Sequence, residues 1–105
     1  MLGELEQLVL LAVLQVGDEA YGIPVRDAIH RLAGRDLTFG TIYKTLNRME
    51  DKGLVRSRLG RASPARGGRR TRCYVVTAAG RVAVRQSLGA LRRMIADLDV
   101  GWESP

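Results

Sequence analysis

Seven consecutive apolar residues, Leu8, Val9, Leu10, Leu11, Ala12, Val13 and Leu14, stand near the start of a chain of only 105 residues. No glycine or proline interrupts residues 4–16, and Gly17 followed by Asp18 and Glu19 supplies a stop signal, so the run predicts a helix. A helix that is apolar on every side must be covered on more than one side. A domain this small buries only roughly 65% of the surface its unfolded chain exposes, so a monomer can hardly provide that cover alone. The run also falls far short of the roughly 20 residues that a bilayer-spanning helix needs. Glu4 and Glu6 precede it, with neither a basic region nor a small-residue cleavage site, which does not fit a secretory signal. The expectation is a cytoplasmic, soluble protein with no membrane partner.

Two shorter helical patterns follow. The first begins around Tyr21, tolerates Pro24 because it falls in the first turn, and has Val25, Ala28, Ile29 and Leu32 as its expected buried stripe. Gly34 ends it. Thr38 is placed to cap a third helix running to about Lys52, with Ile42, Leu46 and Met49 inward and Gly40, Lys44, Asn47, Arg48 and Asp51 on the opposite face. Two short helices joined by a tight turn, the second presenting basic and polar side chains, follow the helix-turn-helix plan.

After Gly53 the period changes. Residues 54–59 read as a strand and residues 72–76 as its partner, separated by a loop rich in glycine and proline that carries Arg61, Arg66, Arg69 and Arg70. The hairpin has the form of a cationic wing able to follow a nucleic-acid backbone. Thr77 then caps a last helix expected to reach about Asp99. Val84, Leu88, Leu91, Ile95 and Leu98 recur along it at spacings of four, three, four and three, the seam of a helix packed on another helix. With three other helices available for the core, this seam is expected to be intermolecular, pairing with Leu5, Leu8, Val9, Leu11 and Ala12 of the over-apolar first helix across a two-fold axis. The fold class is mainly α with a small β-hairpin: a winged helix-turn-helix over 1–77, then a C-terminal dimerisation helix and tail over 78–105.

Charge sharpens the expectation of function. The net charge is +6, yet twelve basic residues lie between positions 44 and 85 against only Glu50 and Asp51, so that segment is about +10 and the remainder is acidic. Arginine dominates, which suits bidentate contact with phosphates and guanine edges. Double-stranded DNA is the partner this implies. Thr38, Gly40, Thr41, Tyr43, Lys44, Asn47 and Arg48 on the third helix would meet phosphates or base edges, with Asn47 suited to adenine, and Arg61, Arg66, Arg69, Arg70 and Arg72 on the wing would meet phosphates or a narrow minor groove. The bland alternatives are a solvated helix face and a solubilising loop.

Other chemistries find little support. Cys73 is the sole cysteine, so no intrachain disulfide and no thiol metal site is expected, and it reads as packing on a strand, with a redox switch as the alternative. His30 stands alone on a helix flank and reads as an exposed structural residue. No nucleophile, base and carboxylate constellation is visible and no phosphate-cradling glycine loop opens a helix, so neither an enzyme nor a cofactor is expected. Trp102 reads as terminal packing or as the wall of a small-molecule pocket near a dimer seam. Two further classes stay open at this level: a winged helix that docks an acidic protein, and a binder of structured RNA.

The block Gly40-Thr41-Ile42-Tyr43, then Leu46-Asn47-Arg48-Met49-Glu50, then Gly53-Leu54-Val55 resembles the recognition-helix block of PadR-like regulators, which reads Gly-Thr-Leu-Tyr, Leu-x-Arg-Leu-Glu and Gly-Leu-Ile. Also similar to that family are the leucine-rich first helix, Tyr21-Gly22 opening the second, and Gly68-Arg69-Arg70 through Tyr74 to Thr77-Ala78-Ala79-Gly80-Arg81. The resemblance spans nearly the whole chain and implies a winged helix, homodimerisation through the C-terminal helix, and repression of nearby genes. The short last helix resembles the compact branch of the family, whose members can take planar hydrophobic effectors between subunits. Three departures stand out: Gly22-Ile23-Pro24 where Gly-Tyr-Glu is frequent, Cys73 where an aromatic is frequent, and a wing tip more basic than the acidic tips of many members.

Overall fold

A computed structural model describes residues 2–62 and 70–98, with the backbone alone at residues 61 and 62. Helix α1 (Glu4–Val16) opens where the Gly3 amide donates to the Glu6 carboxylate at 3.1 Å, satisfying a donor at the helix entrance. It closes at Gly17 and a 3-10 turn, Gly17–Glu19. The apolar run divides into two faces. Val9, Leu10, Ala12 and Val13 lie within the core, whereas Leu8, Leu11 and Leu14 are only partly covered.

Helix α2 (Gly22–Ala33) carries Pro24 in its first turn and ends at Gly34, whose φ of 66° lets its amide reach the His30 carbonyl. Val25, Ala28 and Ile29 are buried as the stripe predicts, but Leu32 is 56% exposed. Its side chain borders a groove of about 270 Å³ between α1 and α2, lined also by Leu8, Leu11, Ala28 and Ile29, and does not enter the core. Helix α3 (Phe39–Asp51) starts where Thr38 Oγ1 accepts from the Thr41 amide at 3.1 Å. Ile42, Thr45, Leu46 and Met49 bury its inner side at spacings of three and four, and the Thr45 hydroxyl donates back to the Thr41 carbonyl.

Strands β1 (Val55–Ala62) and β2 (Arg70–Val76) pair antiparallel, Val55 opposite Val76 and Ser57 opposite Tyr74, with an irregularity between Leu59 and Ala62. The ladder outruns the expected strands at both inner ends. Gly60 makes this possible: a Cβ there would sit 2.8 Å from Cys73 Sγ and 3.1 Å from the Thr71 carbonyl, so only a bare backbone lets the strands continue at this separation. Cys73 is buried in that contact, in keeping with a packing role.

Helix α4 (Ala78–Ala96) ends three residues before the expected limit. Thr77 caps it by accepting from the Gly80 amide, and its own hydroxyl donates to the Gly53 carbonyl at 2.7 Å, so one side chain fastens α4 to the α3–β1 turn. The expected seam is split in two. Val84 belongs to the chain's own core and Leu88 packs half-buried against it, while Leu91, Ile95 and Leu98 are 39 to 48% exposed and Met94 is 74% exposed. Val9 and Ala12 are likewise taken up by the core, because the hairpin and α2 cover that side of α1 within one chain. The reassignment of Val9, Ala12 and Val84 leaves the distal half of α4 as a bare apolar face.

Candidate nucleic-acid interface

The helix-turn-helix is braced by one phenol. Tyr43 on α3 accepts a hydrogen bond from the Gly22 amide at 3.1 Å, and a Cβ at residue 22 would fall 2.3 Å from that hydroxyl. The tyrosine and the glycine therefore form a matched pair that sets how α2 crosses α3. Tyr43 is half-buried. At the start of α3 the hydroxyls of Thr38 and Thr41 bond each other at 3.0 Å, closing the cap. Gly40 beside them has no atom nearer than 3.9 Å to where a Cβ would stand, so the first turn presents open backbone, where orphan amides favour an anion.

Lys44, Asn47 and Arg48 are all exposed on α3. Lys44 and Arg48 make no ion pair among the described residues, whereas Lys52 is held by Glu6 of α1 at 2.9 Å. That bond, with the Gly3 amide and the positive charges of Lys52 and Arg48, holds the Glu6 carboxyl below the usual carboxylate value in spite of its burial. Arg48 thus lies close enough to α1 for its charge to act on Glu6, while Lys44 and Asn47 are exposed.

Two side chains at this surface escaped the sequence reading. Arg26 on α2 stacks 4.8 Å from the ring centroid of Phe39, the first residue of α3 and the chain's sole phenylalanine. Both are exposed beside the helix start. A lone phenylalanine next to a capping threonine was the available signal, since an aromatic left in water at that place has a poor claim on the core and suits contact with a thymine methyl or sugar.

Between α3 and the hairpin runs a polar strut. Glu50 Oε2 accepts from the Ser57 hydroxyl at 2.6 Å and from its amide at 3.2 Å, and Arg72 donates to Ser57 Oγ at 2.8 Å. Next to it the buried Tyr74 donates its phenolic hydrogen to Asn47 Oδ1 at 3.4 Å. Burial, reinforced by the negative charge of Glu50, pushes the Tyr74 phenol above its ordinary value, so it stays protonated at neutral pH. Among the wing arginines, Arg70 donates to the Gly60 carbonyl at 2.9 Å and Arg72 is spent on the strut. The side chain of Arg61 and the whole of Arg66 and Arg69 lie outside the described residues, as does Trp102. Arg58 reaches the Asp18 carbonyl, and the exposed His30 on α2 pairs with Asp36 of the α2–α3 turn at 2.6 Å. Glu50, Ser57 and Tyr74 were not identified from sequence, because residues 7 and 27 positions apart give no periodic signal.

A helix-turn-helix with an exposed cationic reading face and an arginine-bearing hairpin is the layout of a winged DNA-binding domain, and residues 10–86 match the model of the transcriptional regulator PadR-like family. The chain belongs to that family. PadR-like proteins are transcriptional regulators, not enzymes, so the fold here serves DNA-binding regulation. Among solved structures, a PadR family transcription regulator from Clostridium difficile is 25% identical, with a TM-score of 0.70 over 90% of this chain and 93% of that one. A PadR-like regulator from Bacillus cereus is 24% identical, with a TM-score of 0.67 over 89% and 88% of the two chains. A PadR family regulator from Eggerthella lenta, 22% identical with a TM-score of 0.69 over 86% and 76%, shares the fold. Comparison with curated proteins gives no match. The PadR-like chain contains no helix, among the described residues, that is long and apolar enough to cross a membrane.

Proposed function

We propose that this PadR-like chain is a cytoplasmic repressor that occupies a pseudo-palindromic operator as a homodimer. The observation that carries this reading is the unneutralised pair Lys44 and Arg48, with Asn47, on a helix whose start is open backbone, backed by an arginine-bearing hairpin. In a two-fold dimer the two α3 helices enter successive major grooves about 34 Å apart and the wings flank them. Residues 1–77 read DNA, and residues 78–105 join the two copies. The dimer surface comprises Leu91, Ile95 and Leu98 of α4, with Leu5, Leu8 and Leu11 of α1 receiving them. These are the apolar residues left uncovered or half-covered once Val9, Ala12 and Val84 have entered the core. Relief of repression follows from a small hydrophobic effector seated at that seam, where a change in α4 packing alters the spacing of the two reading helices.

Band-shift titration of the promoter region beside the chain's own gene tests the reading. Binding at least about a thousandfold tighter than to a random duplex is expected of a site-specific regulator. Equal affinity for the two, or preference for structured RNA, rejects it.

A further inference from the structure

An exposed asparagine on a recognition helix is usually read as an adenine reader, because its carbonyl and amide together match the N6 donor and N7 acceptor of that base. Here one half of that pair is already engaged. Tyr74 Oη lies 3.4 Å from Asn47 Oδ1, and of the two partners the tyrosine is the fixed one. Its ring is buried in the core, its amide donates to the Ala20 carbonyl at 2.9 Å, and it pairs with Ser57 in the ladder. Ser57 is in turn bound twice by Glu50, one turn of α3 beyond Asn47. The hairpin is therefore fastened to α3 beside the contact, and Tyr74 itself to the turn before α2.

The orientation of the amide follows from hydrogen bonding. A buried phenol, protonated at neutral pH, carries a hydrogen that calls for an acceptor. With the Asn47 amide turned the other way, Nδ2 would donate to the phenolic oxygen and the phenolic hydrogen would lack an acceptor, which is costly away from water. The carbonyl thus faces Tyr74 and the NH2 group faces out.

We propose that Tyr74 is a positioning residue that sets the base preference of the reading face: by holding the Asn47 carbonyl toward the hairpin it turns the NH2 group outward as the group that meets the base, and so selects guanine, whose O6 and N7 are adjacent acceptors, over adenine. The proposal rests on α3 lying in the major groove. It assigns a base-reading role to a residue on the wing that touches no base itself, and it replaces the adenine preference expected of Asn47 from its residue type.

Binding-site selection from a randomised duplex library, using the full chain as wild type, Asn47→Ala and Tyr74→Phe with folding followed by circular dichroism, tests it. Wild type is expected to enrich guanine over adenine at one position of each half-site by at least about fivefold. Asn47→Ala flattens that position. Tyr74→Phe releases the carbonyl and moves the enrichment there to adenine, leaving the other positions as they were. Retention of the wild-type base by Tyr74→Phe, or adenine already favoured at that position by wild type, overturns the proposal. If wild type enriches no sequence at all, the site-specific reading of the whole chain fails and this one fails with it. Should Tyr74→Phe not fold, Asn47→Asp carries the same test: its carboxylate still accepts from Tyr74 but turns an acceptor outward, so cytosine, with its N4 donor, replaces guanine. Guanine retained by Asn47→Asp overturns the proposal.

Discussion

Replacing Gly22 with alanine should separate α2 from α3, and the cost should vanish when Tyr43 is also removed. The new methyl would stand 2.3 Å from the Tyr43 hydroxyl oxygen, 2.8 Å from Cζ and 3.0 Å from Cε2. Ordinary contact begins near 3.4 Å, so the ring and the first turn of α2 must part by about an ångström, and the bond from the Gly22 amide is lost or bent in doing so. Overpacking of this kind costs about 1–3 kcal/mol, and a buried donor left poorly paired adds to it. Against this, alanine is preferred to glycine in a helix by roughly 0.5–1 kcal/mol. A net loss of about 2 kcal/mol is expected in the wild-type background. In a Tyr43→Ala background no clash remains, and Gly22→Ala should be neutral or stabilising by up to about 1 kcal/mol, in line with the helix preference alone. Urea denaturation of the four proteins at one fixed concentration, followed by far-ultraviolet circular dichroism, gives the coupling directly, here about 2–3 kcal/mol. If Gly22→Ala costs the same in both backgrounds to within about 0.5 kcal/mol, the phenol does not brace the two helices.

Three further outcomes are expected. Leu91→Glu combined with Ile95→Glu places charge on the bare face of α4 without touching the core, so sedimentation should show a monomer with an unchanged helical spectrum; a persisting dimer places the interface elsewhere. Glu6 has a folded-state pKa below its unfolded value of about 4.5, so its contribution to stability is complete above that value and fades as pH falls through the lower, folded one. Glu6→Gln should therefore flatten the loss of stability between pH 5 and 3, read as urea midpoints, and parallel acid limbs for the two proteins would show the Lys52 bond to be inert. Lys44→Ala should weaken binding to an operator and, where it contacts a phosphate, reduce the salt slope by roughly 0.9 log units; an unchanged affinity would mean that the reading face has been misplaced.

Local chemistry made most of the framework legible in the sequence. Thr38 and Thr77 cap the helices they were expected to cap, Gly34 adopts the left-handed turn that ends α2, and the change of period after Gly53 marks the hairpin. Each of these depends on residues only a few positions apart. Periodicity was weaker at saying what covers an apolar residue. Val84 and Leu91 share one seam in the sequence, yet the first is buried and the second is 43% exposed, because the hairpin and α1 accompany α4 only over its first turns. Leu32 fits the stripe of α2 and still lies at the edge of a groove. The strands grew past their expected ends because Gly60, read as part of a loop, is where the opposing strand comes closest. The bonds joining Glu50 to Ser57 and Tyr74 to Asn47 depend on how α3 leans on the hairpin, and no pattern along the chain encodes that angle.

The tight seat of Cys73 under Gly60 gives the molecule a built-in clock. With a single thiol in the sequence, any disulfide reagent reacts at one place, and there only when the two strands part. The labelling rate then counts hairpin openings in the unmodified protein. Duplex that grips the wing should slow it in proportion to occupancy, without dye or engineered tag.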